Sequence, residues 1–308
     1  MRNIKIIGLG EVVVDWVAEL PFFPGPDEKI DAISENYFSG GVTANFLVAI
    51  SRLNVSCGFI GAVGKDPYGD FLIEEFKKER VDVRFTKKKA KAKTPVNFIF
   101  IVEGEKTIIQ SPHMQTTKLE VSDLNLNYIA SSNLLHTSII HQELTEKAIQ
   151  IAKSNNVKIS IDLEAQIARR GWDALKEILL SADVVIPNKE GAKIITNTKN
   201  PQEAANTLIN QGIPIVIITM GKKGVLITTE ECQKVIPAYD VEKIVDTTGA
   251  GDTFNGAFSV GYWIKEWSLE DSCKFANAAA ALKIQSLGAR SGMPTIDMIQ
   301  KFMNERKI

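Results

Sequence analysis

Residues 246 to 252 read Asp246-Thr247-Thr248-Gly249-Ala250-Gly251-Asp252, and apolar residues at helical spacing follow at once (Phe254, Ala257, Phe258, Val260). Two glycines around an alanine let the backbone curl tightly and aim successive N–H groups into one concavity. A helix beginning there adds its own unpaired N–H groups and its positive dipole end. Such a hole suits an anion, and phosphate best of all. Asp252 falls in the first turn beside it, where a carboxylate can take a proton from an incoming hydroxyl. That combination points to phosphoryl transfer onto an alcohol. The bland alternative is an ordinary helix capped by a Gly-rich loop, since short Gly-Ala-Gly loops are common.

The elements that must position this loop are legible in outline. Residues 4–9 read as a buried strand, 43–53 as a helix, 57–63 as a strand and 67–80 as an amphipathic helix with Pro67 in its first turn. From about 133, apolar strands (NLLHTS, VKISID, DVVIP, IPIVIITM) alternate with helices near 143–154, 171–181, 188–196 and 201–211. This alternation predicts an α/β protein with a mostly parallel sheet covered by helices on both faces. A strand pair (223–236) precedes the loop, and helices near 251–265, 270–286 and 295–304 close the chain. Two β-like excursions, about 12–38 and 94–111, leave and rejoin this background. Together they predict a small β lid over a site, within one domain spanning 1–308. An open lid sheet presents unpaired edges, so pairing of two chains through the lid, a homodimer, is also expected.

Composition excludes other classes. The chain has 308 residues, 44% hydrophobic and 24% charged, with a formal net charge of -1. Near-zero charge argues against nucleic-acid and membrane-surface partners. No apolar run is long enough for a membrane span or a signal-peptide core, which predicts a cytoplasmic protein. Cys57, Cys232 and Cys273 have no metal-ligand spacing and read as small buried hydrophobes. The basic run from Lys87 to Lys93 reads as a solvated loop leading into the lid. Gly8-Leu9-Gly10 lacks the third glycine of a dinucleotide fingerprint, having Val13 instead, and no Walker-type loop exists. His113, His136 and His141 show no catalytic partner pattern.

The assembled pattern resembles the PfkB/ribokinase family of carbohydrate and nucleoside kinases over essentially the whole chain. DTTGAGD (246–252) matches that family's C-terminal signature at every position, SGGVTANFLVAISRLN (39–54) is similar to its N-terminal one, and GAVGKDPYGDFL (61–72) follows in order. TMGKKG (219–224) resembles its nucleotide loop. The resemblance implies a ribokinase-like three-layer α/β/α fold and an ATP- and Mg²⁺-dependent kinase acting on a hydroxymethyl group of a small sugar. It implies Asp252 as the base, with Gly249, Ala250 and Gly251 as the hole for the migrating phosphoryl. Asp15, Gly40, Gly41 and Asn45 are the implied acceptor residues; Asn188, Thr219, Gly221, Gly224 and Asn277 are the implied ATP residues. The implied acceptor is ribose-, fructose- or 2-keto-3-deoxygluconate-like. With a low intrinsic pKa and a helix dipole beside it, Asp252 is expected to be ionised at pH 7. A nucleoside kinase is the alternative in the same class, and an inactive ligand-binding regulator on this fold the alternative in another.

The chain departs from the family pattern at several points. The usual Asn-x-x-Glu for Mg²⁺ has Asn188 but Gly191 in its fourth position, with Glu190 one place early and able to act only through water. The resemblance also suggests K⁺ at Asp246 and Thr248 with carbonyls around Lys283, Ser286 and Gly288. Ser138 stands where ribokinase has a glutamate. DLEAQ (162–166) stands where fructokinases and 2-keto-3-deoxygluconate kinases show Asp-x-Asn-x-Arg; the missing arginine weakens the case for a carboxylate-bearing substrate, with Arg169 and Arg170 as the nearest substitutes.

Overall fold

The structure is a computed structural model that describes residues 4–306. In chain order its strands are β1 (Ile6–Leu9), β2 (Val13–Glu19), β3 (Ser34–Gly40), β4 (Cys57–Gly64), β5 (Thr86–Lys89), β6 (Val96–Val102) and β7 (Glu105–Gln110). They continue with β8 (Leu134–Thr137), β9 (Lys158–Leu163), β10 (Val184–Pro187), β11 (Val216–Thr219), β12 (Val225–Thr228) and β13 (Gln233–Ile236). Nine of them form one sheet in the order β13-β12-β11-β10-β9-β8-β1-β4-β5. Its pairings are parallel from β11 through to β5, while β11–β12 and β12–β13 are antiparallel.

Near-continuous apolar strands are what such a sheet requires, because both faces are covered. Successive residues serve opposite faces. Ile6, Leu134, Ile186 and Ile217 pack with the helices Val42–Arg52, Ala250–Ser259 and Leu269–Lys283. Ile7, Leu135, Val185 and Val216 pack with Gln142–Ser154, Trp172–Leu179 and Pro201–Asn210. Helix starts follow their capping chemistry: Asp66, Asn188, Asn200 and Ser268 each accept a first-turn N–H. No helix among the described residues is long and apolar enough to cross a membrane.

The four remaining strands form a second sheet, β3-β2-β6-β7, in which β2 and β6 run parallel and the two flanking pairs antiparallel. The two β excursions therefore interlock, with β2 and β6 side by side at the middle. One face of this sheet looks onto the nine-stranded body and supplies residues to the site below.

Three sequence expectations change. Thr86–Lys89 is a strand at the edge of the large sheet and not a loop. Its lysines engage Asp70 and Asp123, and such charges on an edge discourage pairing with another chain. Cys232 is exposed, whereas Cys57 and Cys273 are buried as expected. The helix 251–265 is interrupted by a wide π turn at Val260–Ile264.

Candidate active site

The carboxyl ends of β1, β8, β9, β10 and β11 open onto one cavity of about 450 Å³, roofed by the small sheet. Ligands of open parallel sheets bind at this edge. Helix Ala250–Ser259 points its N-terminus into the cavity, with Thr247, Thr248, Gly249, Gly251 and Asp252 all lining it. Gly249 caps the helix at φ 77, and a Cβ there would run into the Ala289 carbonyl, so the turn requires glycine on two counts. A Cβ on Gly251 would meet nothing, which leaves open space above the first-turn amides. Those amides have no intrahelical acceptor.

Asp252 is half-buried, and its Oδ2 accepts a hydrogen bond from Asn45 Nδ2 at 2.8 Å. The Asn45 amide is in turn oriented by Arg290, whose Nε donates to Asn45 Oδ1 at 2.8 Å. Arg290 is buried and also donates to Ser39 Oγ and the Gly40 carbonyl. Burial pushes the Asp252 carboxyl up to about 8, with Glu164 and Glu11 adding repulsion against the pull of Asn45 and Arg290. The expectation of an ionised carboxylate at pH 7 is thus corrected: the free site favours the protonated form, because burial and like charge outweigh the helix dipole.

Asp15 is buried and accepts from Asn97 Nδ2 at 2.8 Å; burial outweighs this bond and raises its carboxyl. It lines the cavity with Asn45 and Gly41, the latter held at φ 101 at the start of helix Val42–Arg52. Gly40 does not line the cavity, and its missing Cβ makes room for the Asp15 carboxylate. Asn188 and Thr219 line the far side and are joined by a β-bridge. Gly221, Gly224 and Asn277 lie outside this lining. Gly224 is forced by the Ile236 carbonyl, and Asn277 Nδ2 is committed to the carbonyls of Ile236 and Pro237.

Glu190 is exposed, paired with Lys193 and absent from the lining. A Cβ on Gly191 would run into the Leu163 carbonyl, so that close approach of helix to strand end excludes any side chain at 191. The acids that do line the cavity are Glu11, Asp162 and Glu164, besides Asp15 and Asp252. Burial and mutual repulsion raise Asp162 well above its ordinary range and Glu164 to about 7. Asn255 Nδ2 donates to Asp162 Oδ2 at 2.9 Å, while its buried Oδ1 has no partner among the described residues. Among the described residues no three acids are arranged as a ready-made metal site, so a divalent cation beside Asp162 and Glu164 would need phosphate or water to complete its shell.

The sequence reading passed over Glu11 and Arg290. Glu11 sits just past the end of β1, at the ligand-binding edge, and accepts from Val42 N and Ser138 Oγ. Its position was the available signal. Arg290 gave none. Arg169 does not line the cavity, and Arg170 is tied to the carbonyls of Ile139 and Ile140, so neither replaces the missing arginine. His136 is buried against Phe46 and Ser160 and held neutral by burial, as its ordinary reading requires.

Asp246 and Thr248 form a closed set. Asp246 Oδ1 accepts from Thr248 N and Oγ1 at 2.9 and 2.6 Å, and Oδ2 accepts from Gly288 N at 2.9 Å. Its carbonyl accepts from Lys283 Nζ at 2.8 Å, and Lys106, from the small sheet, donates to Thr248 Oγ1. Oxygens already claimed by two ammonium groups and three further donors do not fit a K⁺ site.

The pfkB family carbohydrate kinase profile matches residues 3–296. The ribokinase of Haemophilus influenzae is 30% identical over 304 residues, covering 96% of this chain and 97% of that protein. The 5-dehydro-2-deoxygluconokinase of Clostridium beijerinckii is 27% identical, covering 99% and 94%. A structure of Arabidopsis thaliana ribokinase complexed with ribose and ATP shares the fold at a TM-score of 0.85 and 20% identity, covering 98% of this chain and 99% of that one. The chain belongs to the pfkB family of carbohydrate kinases, phosphotransferases with an alcohol group as acceptor.

Proposed function

We propose that this protein transfers the γ-phosphoryl group of ATP to a hydroxymethyl group of a small, uncharged sugar, in a Mg²⁺-dependent reaction. The observation that carries the acceptor class is the cavity lining. It contains five carboxyl groups and the amides of Asn45, Asn97, Gln110 and Gln166, but, among the described residues, no lysine, arginine, histidine or aromatic ring. Amides and carboxyl groups suit sugar hydroxyls, whereas a sugar acid would meet the acids while the nearest cations, Arg290 and Lys106, are already committed to Asn45, Ser39, the Gly40 carbonyl and Thr248. A nucleobase would find no aromatic face to stack on. ATP is the donor in the Arabidopsis ribokinase complex, and the open N-terminus of helix Ala250–Ser259 supplies the matching anion hole.

In this reading Asp252 receives the proton of the attacking hydroxyl, and Asn45, fixed by Arg290, holds one carboxylate oxygen so that the other meets the acceptor. Asp15 and Asn97 orient the sugar, and the amides of Gly251 and Asp252 receive the phosphoryl oxygens. Asp162 and Glu164 would hold Mg²⁺, in part through water, with Asn188 nearby. Bound there, such an ion would neutralise phosphate charge and would draw the Asp252 carboxyl back toward its ordinary range. The reading also includes a homodimer through the outer face of the small sheet, where Trp16, Phe98 and Phe100 cluster edge-to-face and Tyr37, Phe98 and Ile109 are exposed.

The test is ADP release with ATP and Mg²⁺ across neutral sugars, sugar acids and nucleosides. Turnover confined to neutral sugars supports the reading; turnover confined to acids or nucleosides overturns the acceptor class. Binding without any turnover would make the protein a ligand-binding regulator. Asp252→Asn should bind ATP normally and lose at least ~100-fold in kcat.

A further inference from the structure

Lys283 ends helix Leu269–Lys283 and is wholly buried, an unusual place for an ammonium group. Its Nζ donates to the carbonyl of Asp246, the first residue of the anion loop. The charged groups facing it are Asp246 and Asp252, which favour the ammonium form, and Lys106, which opposes it; burial lowers its pKa. The loop is further tied to this helix end by Val245 N and Asp246 N, which donate to the Ile284 carbonyl. Lys283's own carbonyl is taken by Ser286 N at 3.2 Å. A buried charge is costly unless something gains from it. What stands to gain here is the loop that must hold a migrating phosphoryl group.

We propose that the Lys283 ammonium is a built-in monovalent cation: it fixes the Asp246–Gly251 loop from behind and supplies the positive charge that makes activity independent of K⁺. An ammonium group and K⁺ carry the same charge at similar size, and Lys283 Nζ holds the Asp246 carbonyl, an oxygen that a cation beside this loop would need. Lys283 is accordingly a positioning residue, acting on the phosphoryl group through the loop and not by contact. The inference rests on the proposed phosphoryl site, and its test is built so that the two can fail separately.

The experiment compares the unchanged protein with Lys283→Met, which keeps the bulk, and Lys283→Gln, which keeps a hydrogen-bond donor without charge. Rates and melting temperatures are measured in KCl, NH₄Cl and choline chloride at equal ionic strength. The unchanged protein should give the same kcat and Tm in all three salts. In choline chloride both variants should lose about 100-fold in kcat, with the acceptor KM little changed. K⁺ or NH₄⁺ should restore roughly a tenth or more of that loss and raise the variants' Tm, an effect choline lacks. Activation of the unchanged protein by K⁺, or full activity of Lys283→Gln in choline, would overturn the proposal. If no acceptor is turned over, the kinase reading fails, yet the Tm comparison still decides whether a cation enters only when Lys283 is gone. A variant Tm indifferent to K⁺ would then sink the inference by itself.

Discussion

Five acids share one cavity, and the position of Asp252 among them sets a pH dependence. Burial, with repulsion from Glu164 and Glu11, holds its carboxyl at about 8 in the free site. The base must be ionised to work, so kcat/KM for ATP, which reports the free site, should climb about tenfold per pH unit below 8 and then level off. Glu164→Gln removes one source of repulsion, and the rising limb should move to lower pH; an unmoved limb would separate the two groups. Stability runs the opposite way to activity. The folded carboxyl holds its proton up to about 8 while an unfolded aspartate loses it near 4, so Asp252 stabilises the fold at low pH and ceases to as pH rises toward 8. Asp252→Asn, which cannot ionise, should therefore melt above the unchanged protein by a margin that widens from about pH 4 to pH 8 and then stays constant.

At the start of helix Ala250–Ser259, Gly249 and Gly251 lie two positions apart and can be told apart by the same substitution made at each. Gly249→Ala forces a left-handed residue against the Ala289 carbonyl and should cost about 1–2 kcal/mol or more, read as a Tm loss of several degrees. Gly251→Ala meets no protein atom, should leave Tm within a degree or so, and should cut kcat on the order of 10- to 100-fold by placing a methyl where phosphate belongs. Equal effects on stability would remove the distinction. The sequence showed this loop and the parallel sheet clearly, because both are written in local pattern: apolar runs of strand length and a Gly-x-Gly before a helix. It could not show Arg290, which meets Asn45 from 245 positions away, nor why Gly191 lacks a side chain. Those depend on which backbones the fold brings together. Lys87–Lys89 misled for a related reason, since an edge strand wears its charges outward as a loop does.

For the molecule as a whole, the small sheet has two unlike faces. Asp15, Asn97 and Ile99 look inward to the cavity, while Trp16, Phe98 and Phe100 look out. The proposed dimer uses the outer face, so light scattering should give twice the chain mass, and Phe98→Asp with Tyr37→Asp should halve it. A wild-type monomer at micromolar concentration would discard that pairing. The small sheet is also joined to the body more tightly than a flap. The first nineteen residues contain β1, flanked by β8 and β4 in the large sheet, and β2, flanked by β3 and β6 in the small one. Its neighbours β4 and β8 begin only at Cys57 and Leu134, so this segment is synthesised before either of them. During synthesis β1 must wait, with both edges unsatisfied, until β8 at Leu134–Thr137 has emerged, and both sheets close only when it is claimed.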